Sequence, residues 1–425
     1  MRRFSPALLV VCGALVIGAA ASIGATAGRA PADIGGAYAV LVVAGLAGTA
    51  IAWRRRDRGT LAVVIVAALA ARVSLFYSPP LLSHDAYRYL WDAGVLRLGR
   101  DPLALAPAAP PLAALRGLPL FGSIDYRTIP SLYPPLAYVL FAIGSISSPN
   151  VYGEKAVMLA GDLLAIVLLL AALRARALPL GRVALYAWSP LVLLEFAQNA
   201  HVESWAIAGV MGTAIALERE RLRAAALWLV FAILVKLTPV ALLPVAFARR
   251  PRTALACGVA CAVAYAVPAA CGVPVFGSLG TYVNVQRFFP TLYVALHPAG
   301  AALLFAAVVL AATLARRRGL PFAEGAIVVE VAFLLCTPNA LPWYATIVPA
   351  LAVLVEPRDA ARVAGLPALA LGTSLMPLAY GHPFSGAVIP LSIAVALCTL
   401  LVIVRMRLGS SFTIVKDRYG TDALT

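Results

Sequence analysis

With 425 residues, 62% of them hydrophobic, only 12% charged and a mean hydropathy of +0.92, the chain does not have the composition of a soluble domain, where about a quarter of residues are charged. A net charge of +16 raises the question of nucleic acid. The basic residues, however, sit in short clusters between apolar runs, as the orientation signals of membrane proteins do. Composition therefore predicts an all-α polytopic integral membrane protein with no nucleic-acid partner.

In chain order, Met1-Arg2-Arg3 and the apolar run to about Ala27 resemble a signal peptide, with Ala25-Thr26-Ala27 as a cleavage site. An uncleaved first span is the better reading, because many more spans follow. Apolar runs of about 15–20 residues suffice to cross a hydrocarbon core of roughly 30 Å. They predict spans near 7–26, 36–53, 60–77, 155–173, 183–198, 202–217, 223–236, 238–248, 253–271, 299–315, 320–336, 341–355, 361–379 and 386–405. This amounts to about 12–14 transmembrane helices in a single domain, 1–425, with a tail at 406–425. Lys236-Leu237-Thr238-Pro239 interrupts the pair 223–236 and 238–248, which reads as two half-helices or one broken span.

Residues 78–152, between the third and fourth long runs, begin with the longest polar stretch of the chain, which holds Asp85, Asp92, Asp101 and Asp125. Within them, 136–147 is apolar but short and follows Pro134-Pro135, a pattern that predicts an interfacial or re-entrant segment. Charge agrees. If 136–147 does not cross, Arg2–Arg3, Arg54–Arg58, Arg174–Arg182, Arg219–Arg223, Arg249–Arg252, Arg316–Arg318, Arg358, Arg362 and the basic tail share the cytoplasmic side. Both termini are then cytoplasmic in a cell (inner or plasma) membrane. The 78–131 loop, the 272–298 segment, Thr337–Tyr344 and all four histidines (His84, His201, His297, His382) face outward.

Several residues on that side suit chemistry. Asp85 reads either as a helix N-cap, together with Ser83, or as a general base whose pKa is raised at the edge of a low-dielectric region. Tyr87, Arg88, Trp91 and Asp92 would share a mixed aromatic and charged face suited to sugar hydroxyls or to a membrane interface. Asn199, His201 and Glu203 cluster between two spans, with Glu195 one turn earlier. They read either as a polar hairpin tip or as a functional cluster, since intramembrane charges are expensive. Lys236 ends an apolar run on the outward side and either snorkels or binds a phosphate as a point charge. Arg287 is a second outward cation. Asp162 and Glu330 lie within spans and call for internal partners. The six cysteines lie in or beside apolar runs without metal-ligand spacing, and Cys257 and Cys261 read as packing residues on one helical face.

Four stretches carry a resemblance to a known family. They are His84-Asp85-Ala86-Tyr87-Arg88-Tyr89-Leu90-Trp91-Asp92, Thr128-Ile129-Pro130-Ser131-Leu132-Tyr133-Pro134-Pro135-Leu136, Asn199-Ala200-His201-Val202-Glu203 after Trp188-Ser189-Pro190, and Val235-Lys236-Leu237-Thr238-Pro239. Pro342-Trp343-Tyr344 adds a weaker fifth. Together the chain resembles the GT-C superfamily of polyprenyl-phosphate-sugar-dependent glycosyltransferases, especially the bacterial α-mannosyltransferase branch, and more distantly the mannosyltransferase of GPI-anchor synthesis. It departs from the family pattern at His84, where an acidic residue is usual, and at Asn199–Glu203, which usually reads Gly-His-Asn-Asp.

The resemblance implies inverting transfer of a hexose, mannose in the nearest branch, from a polyprenyl-phosphate sugar to a glycolipid or cell-envelope glycan acceptor at the outer leaflet, within membrane lipid. Asp85 matches the catalytic carboxylate. His84, Tyr87, Arg88, Asp92, Tyr133, Asn199, His201, Glu203, Lys236, Arg287, Trp343 and Tyr344 are the candidate substrate-binding residues. No cofactor is required on this reading; a divalent metal is conceivable, with no ligand set to support it. The rival reading is a transporter or flippase of lipid-linked saccharides, which should show polar residues near the midplane and related halves. The polar residues gather in outer loops instead.

Overall fold

The computed structural model describes residues 6–26, 34–147, 150–356 and 369–377. These are almost entirely helical; no strand occurs among them, only an isolated bridge between Phe288 and Asn339. Among the described residues six helices are long and apolar enough to cross a membrane: Pro6–Ala25, Gly35–Ala52, Arg58–Phe76, Val151–Ala175, Pro251–Ala270 and His297–Arg317. Asp57 and Asn150 cap two of them by accepting hydrogen bonds from the amides of Thr60 (2.7 Å) and Tyr152 (2.9 Å). The predicted spans at 202–217, 223–236 and 320–336 appear as the shorter helices Glu203–Glu218, Leu222–Val235 and Phe322–Cys336. The protein is an all-α polytopic membrane protein.

Proline explains where the helices break. Residues 183–198 become two pieces, Leu180–Ala187 and Pro190–Gln198, bent by 54°, because Pro190 cannot donate to the helical ladder. Trp188 at that bend donates from Nε1 to the carbonyl of Val64 at 2.8 Å. Its ring lies so close to Gly48 that a Cβ there would fall 2.2 Å from it. The predicted span 238–248 is a 3₁₀ turn, Thr238–Leu242, followed by the single turn Leu243–Ala246, with Pro239 and Pro244 in them. Residues 341–355 likewise open with a 3₁₀ turn, Pro342–Thr346. Cys257 and Cys261 are buried on an otherwise exposed helix, as packing residues should be. The predicted span 386–405, most of 361–379, His382 and the 406–425 tail lie outside the described residues.

Two buried contacts orient the bundle. The Arg72 guanidinium holds Asp162 at 2.6 and 3.2 Å and also donates to the carbonyls of Ala68 and Ala187, so Asp162 does have its internal partner. Lys155, at the start of Val151–Ala175, donates to the carbonyls of Leu75 and Ser78 at the end of Arg58–Phe76. The two helices are thereby antiparallel, and residues 78–150 leave and rejoin the bundle at the same end. The short helix Pro135–Ser147 lies within this excursion, which as a whole begins and ends at one pole.

The basic loops meet at the opposite end. Arg56 donates to Ala177, Arg176 pairs with Glu218, Arg182 donates to Val355, and Arg249 and Arg317 exchange bonds with the 248 and 317 carbonyls. Polar chemistry and basic loops therefore occupy opposite poles. Asp162→Ala would strand the Arg72 charge in the core, at a cost of about 3–5 kcal/mol. Thermal unfolding in detergent should show a marked loss of stability, with Arg72→Met/Asp162→Leu recovering part of it.

Candidate active site

Asp85 is the first residue of the helix Asp85–Arg97. It does not cap that helix with its side chain; the Ser83 hydroxyl accepts from the Asp85 amide instead, at 3.3 Å. The carboxylate is free to face a cavity, its side chain 29% exposed. There Tyr133 Oη donates to Asp85 Oδ2 at 3.4 Å, and His201 Nδ1 lies 3.6 Å from the same oxygen. Burial pushes the Asp85 pKa up, with His201 and Lys236 pulling against it.

His201 is completely buried, its ring stacked on Trp343 at 4.1 Å. Its other nitrogen, Nε2, lies 3.2 Å from Glu195 Oε2, and Asn199 Nδ2 donates to that same oxygen at 3.2 Å. Burial lowers the His201 pKa, but the surrounding carboxylates, Glu195 foremost, more than offset it, so the net shift is upward. The backbone here is shaped for this contact. Leu193–Gln198 is a π-helical turn, a local widening common at functional sites, and Ala200 sits at φ 60°. Asn199 Oδ1 also accepts from the amides of Leu81 and Leu82 at 3.3 and 3.1 Å. It ties this turn to the strand of chain that leads into Asp85.

Lys236 follows the helix Leu222–Val235 and pairs with Glu203 at 2.7 Å. Its ammonium also lies 5.2 Å from the ring centres of both Tyr133 and Tyr344, a cation–π cage. The lysine charge is thus partly met by Glu203 before any ligand arrives.

These groups line or adjoin one cavity of about 320 Å³, walled by His84, Asp85, Arg88, Tyr133, Lys236, Trp343 and Tyr344 among others. A second cavity, of about 240 Å³ and mostly apolar, adjoins it through Tyr133, Lys236, Tyr282 and Tyr344, which wall both; Tyr265, Phe276, Phe305 and Phe333 line its far side. At the shared wall the Tyr282 and Tyr344 hydroxyls are 2.6 Å apart. Gly277 lets the 272–298 segment close over the polar cavity. A Cβ there would fall 1.9 Å from the Ser131 carbonyl, and the residue sits at φ +44°. The neighbouring Ser278 hydroxyl donates to Pro130 at 2.8 Å.

The structure brings most of the sequence candidates together, but not all in the same role. Asp92 is buried beneath the cavity, bound by Arg88 at 2.8 Å and by the Ser131 hydroxyl at 2.6 Å, so it braces the 130–131 turn. Tyr87 packs beside the His84 ring, outside the cavity wall. Arg287 folds back on the carbonyls of Val283, Asn284 and Gln286 and over the Tyr293 ring; it does not reach the cavity. His84 sits at the mouth, 3.2 Å from Asp125, which raises its pKa. The candidate list lacked Glu195, Tyr282 and Asp125. Glu195 stands out in the sequence as an intramembrane acid one turn before Asn199, though not as a binding candidate; Tyr282 had no comparable local signal. Among the described residues no three His, Cys, Asp or Glu side chains converge as metal ligands.

The family model of the MptA_B family, alpha-(1->6)-mannopyranosyltransferase, N-terminal domain, matches residues 4–252, more than half of the chain. The chain belongs to this family. It is a membrane mannosyltransferase of the GT-C type. A comparison with curated proteins finds no match. The matched range contains Asp85, Asn199, His201, Glu203 and Lys236, whereas Trp343 and Tyr344 enter the mannosyltransferase's cavity from beyond it. Membership removes the transporter reading. Gly277→Val should disrupt the closure over the 130–131 turn. We expect a raised KM and at least several-fold lower transfer, measurable in membranes containing equal amounts of folded protein.

Proposed function

We propose that the protein transfers mannose from a polyprenyl-phosphate-mannose donor to a lipid-linked or cell-envelope glycan acceptor on the extracytoplasmic face, with inversion and with Asp85 as general base. The observation that carries this is the pair of cavities sharing Lys236: one carrying charged and hydroxyl groups around Asp85, the other almost wholly apolar and of a size to take isoprenoid units. A sugar phosphate on a polyprenyl tail has this division of character, and Lys236 stands where its phosphate would lie.

In the proposed reaction the acceptor hydroxyl attacks the anomeric carbon while Asp85 takes its proton. The bond from that carbon to the phosphate oxygen breaks, and the polyprenyl phosphate leaves with the electron pair. Its charge needs a cation rather than an acid, and Lys236 supplies one. The family's name gives an alpha-(1->6) linkage; an α product formed with inversion calls for a β-linked donor. Trp343 and the tyrosines offer faces for sugar rings. The outward orientation rests on the basic loops clustering at the pole opposite the cavity, by the positive-inside rule.

The deciding experiment measures transfer of labelled mannose from polyprenyl-phosphate-mannose to membrane acceptors. Wild type should transfer, and Asp85→Asn, equally expressed, should lose about 10²–10⁴-fold. Full activity in the variant would overturn the assignment of the base. Lys236→Met should lower kcat by about 10²–10³-fold. A general base must be ionised, and the Asp85 pKa is shifted upward. The acidic limb of kcat/KM should therefore lie above the ordinary carboxylate range, with activity falling as pH drops through it.

A further inference from the structure

The cavity chemistry described so far makes no use of Glu195, yet this carboxylate is completely buried and aimed at His201. Both ring nitrogens of His201 are buried without a completed hydrogen bond, and a carboxylate oxygen stands at ion-pair distance from each, Asp85 at 3.6 Å and Glu195 at 3.2 Å. Only the doubly protonated ring has a proton to offer each. The charge census favours the same state. Asp85, Glu195 and Glu203 are three acids around one ammonium, Lys236, and Asp125 adds a further acid at the mouth; Tyr133, Tyr282 and Tyr344 contribute only neutral hydroxyls. A second cation brings the buried cluster closer to neutrality, which low dielectric demands.

We infer that Glu195 is a positioning residue that keeps His201 protonated and pressed toward Asp85, so that the base stays ionised between turnovers inside a desolvated cavity. Glu195 does not touch substrate. Asn199 and the π-helical turn hold its carboxylate in place, and the backbone closes the loop through the His201 amide, which donates to the Glu195 carbonyl at 2.9 Å. Trp343 fixes the plane of the imidazole by stacking. The device has three members, with the cation in the middle. Its charge steadies the anion on the cavity side, and the buried acid steadies the cation.

The inference rests on the transfer reading above, and its test separates the two. In Glu195→Gln the shape is kept and the charge removed. His201 then loses its proton at lower pH, Asp85 loses the neighbouring cation, and the acidic limb of kcat/KM moves upward by about one pH unit or more. Glu195→Asp should move it back toward wild type. Adding His201→Asn to Glu195→Gln should shift the limb little further, because both act through the same cation. A purely structural role would lower the amount of folded protein and leave the limb where it was; that result overturns the inference while Asp85→Asn still defines the base. A readout independent of turnover is the ¹⁵N spectrum of histidine-labelled protein in detergent, with the His201 signal assigned by its loss in His201→Asn. Wild type should hold the imidazolium to higher pH than Glu195→Gln. Identical titrations of the two would overturn the inference even if no donor were ever turned over.

Discussion

Lys155 closes the end of the Arg58–Phe76 helix by donating to the Leu75 carbonyl in its last turn and to the Ser78 carbonyl just beyond it, and the Arg72–Asp162 pair locks the same two helices side by side. Much of the rest depends on this junction. It makes the long excursion at 78–150 start and finish at one pole of the bundle, so the polar loop is delivered there whole. Helix ends leave carbonyls without partners, and a buried lysine without acceptors is costly. Each need is met by the other, and the register of the two helices follows.

Once that pole is assembled, low dielectric controls what can sit in it. Most charged side chains at the cavity occur in company: Arg88 with Asp92, Lys236 with Glu203, His201 between Asp85 and Glu195. The first pair braces the 130–131 turn, with Asp92 beneath the cavity and Arg88 at its wall. The others reach or back the cavity wall, where charge can change during a reaction. Asp85 differs in having its nearest cation at 3.6 Å rather than in a tight pair. It is held without being neutralised, the condition a general base needs.

The apolar cavity is placed by different means. Tyr265, Phe276, Phe305 and Phe333 come from segments distant in sequence, and the interruption after Lys236 allows the 238–242 turn to open the wall between them. Proline therefore contributes twice. It ends the helix that carries Lys236 at the cavity wall, and it keeps the next segment from packing as a full helix.

Much of this was legible in the residues themselves. Helical class, the order of most spans and the place of Asp85 at the head of the 78–131 loop follow from local properties: hydropathy, run length and a short motif. Those properties act within a few residues or through the membrane as a common solvent, so one sequence is enough to read them. The role of each charge was decided only by tertiary structure. Asp92 and Arg287 looked as promising as Lys236, but one is neutralised by Arg88 and the other bonds its own backbone. Glu195 gained its place through a π-helical turn, and Tyr282 through contact with Tyr344. Pairing falls off steeply with distance, and distances between remote segments exist only once the helices have packed.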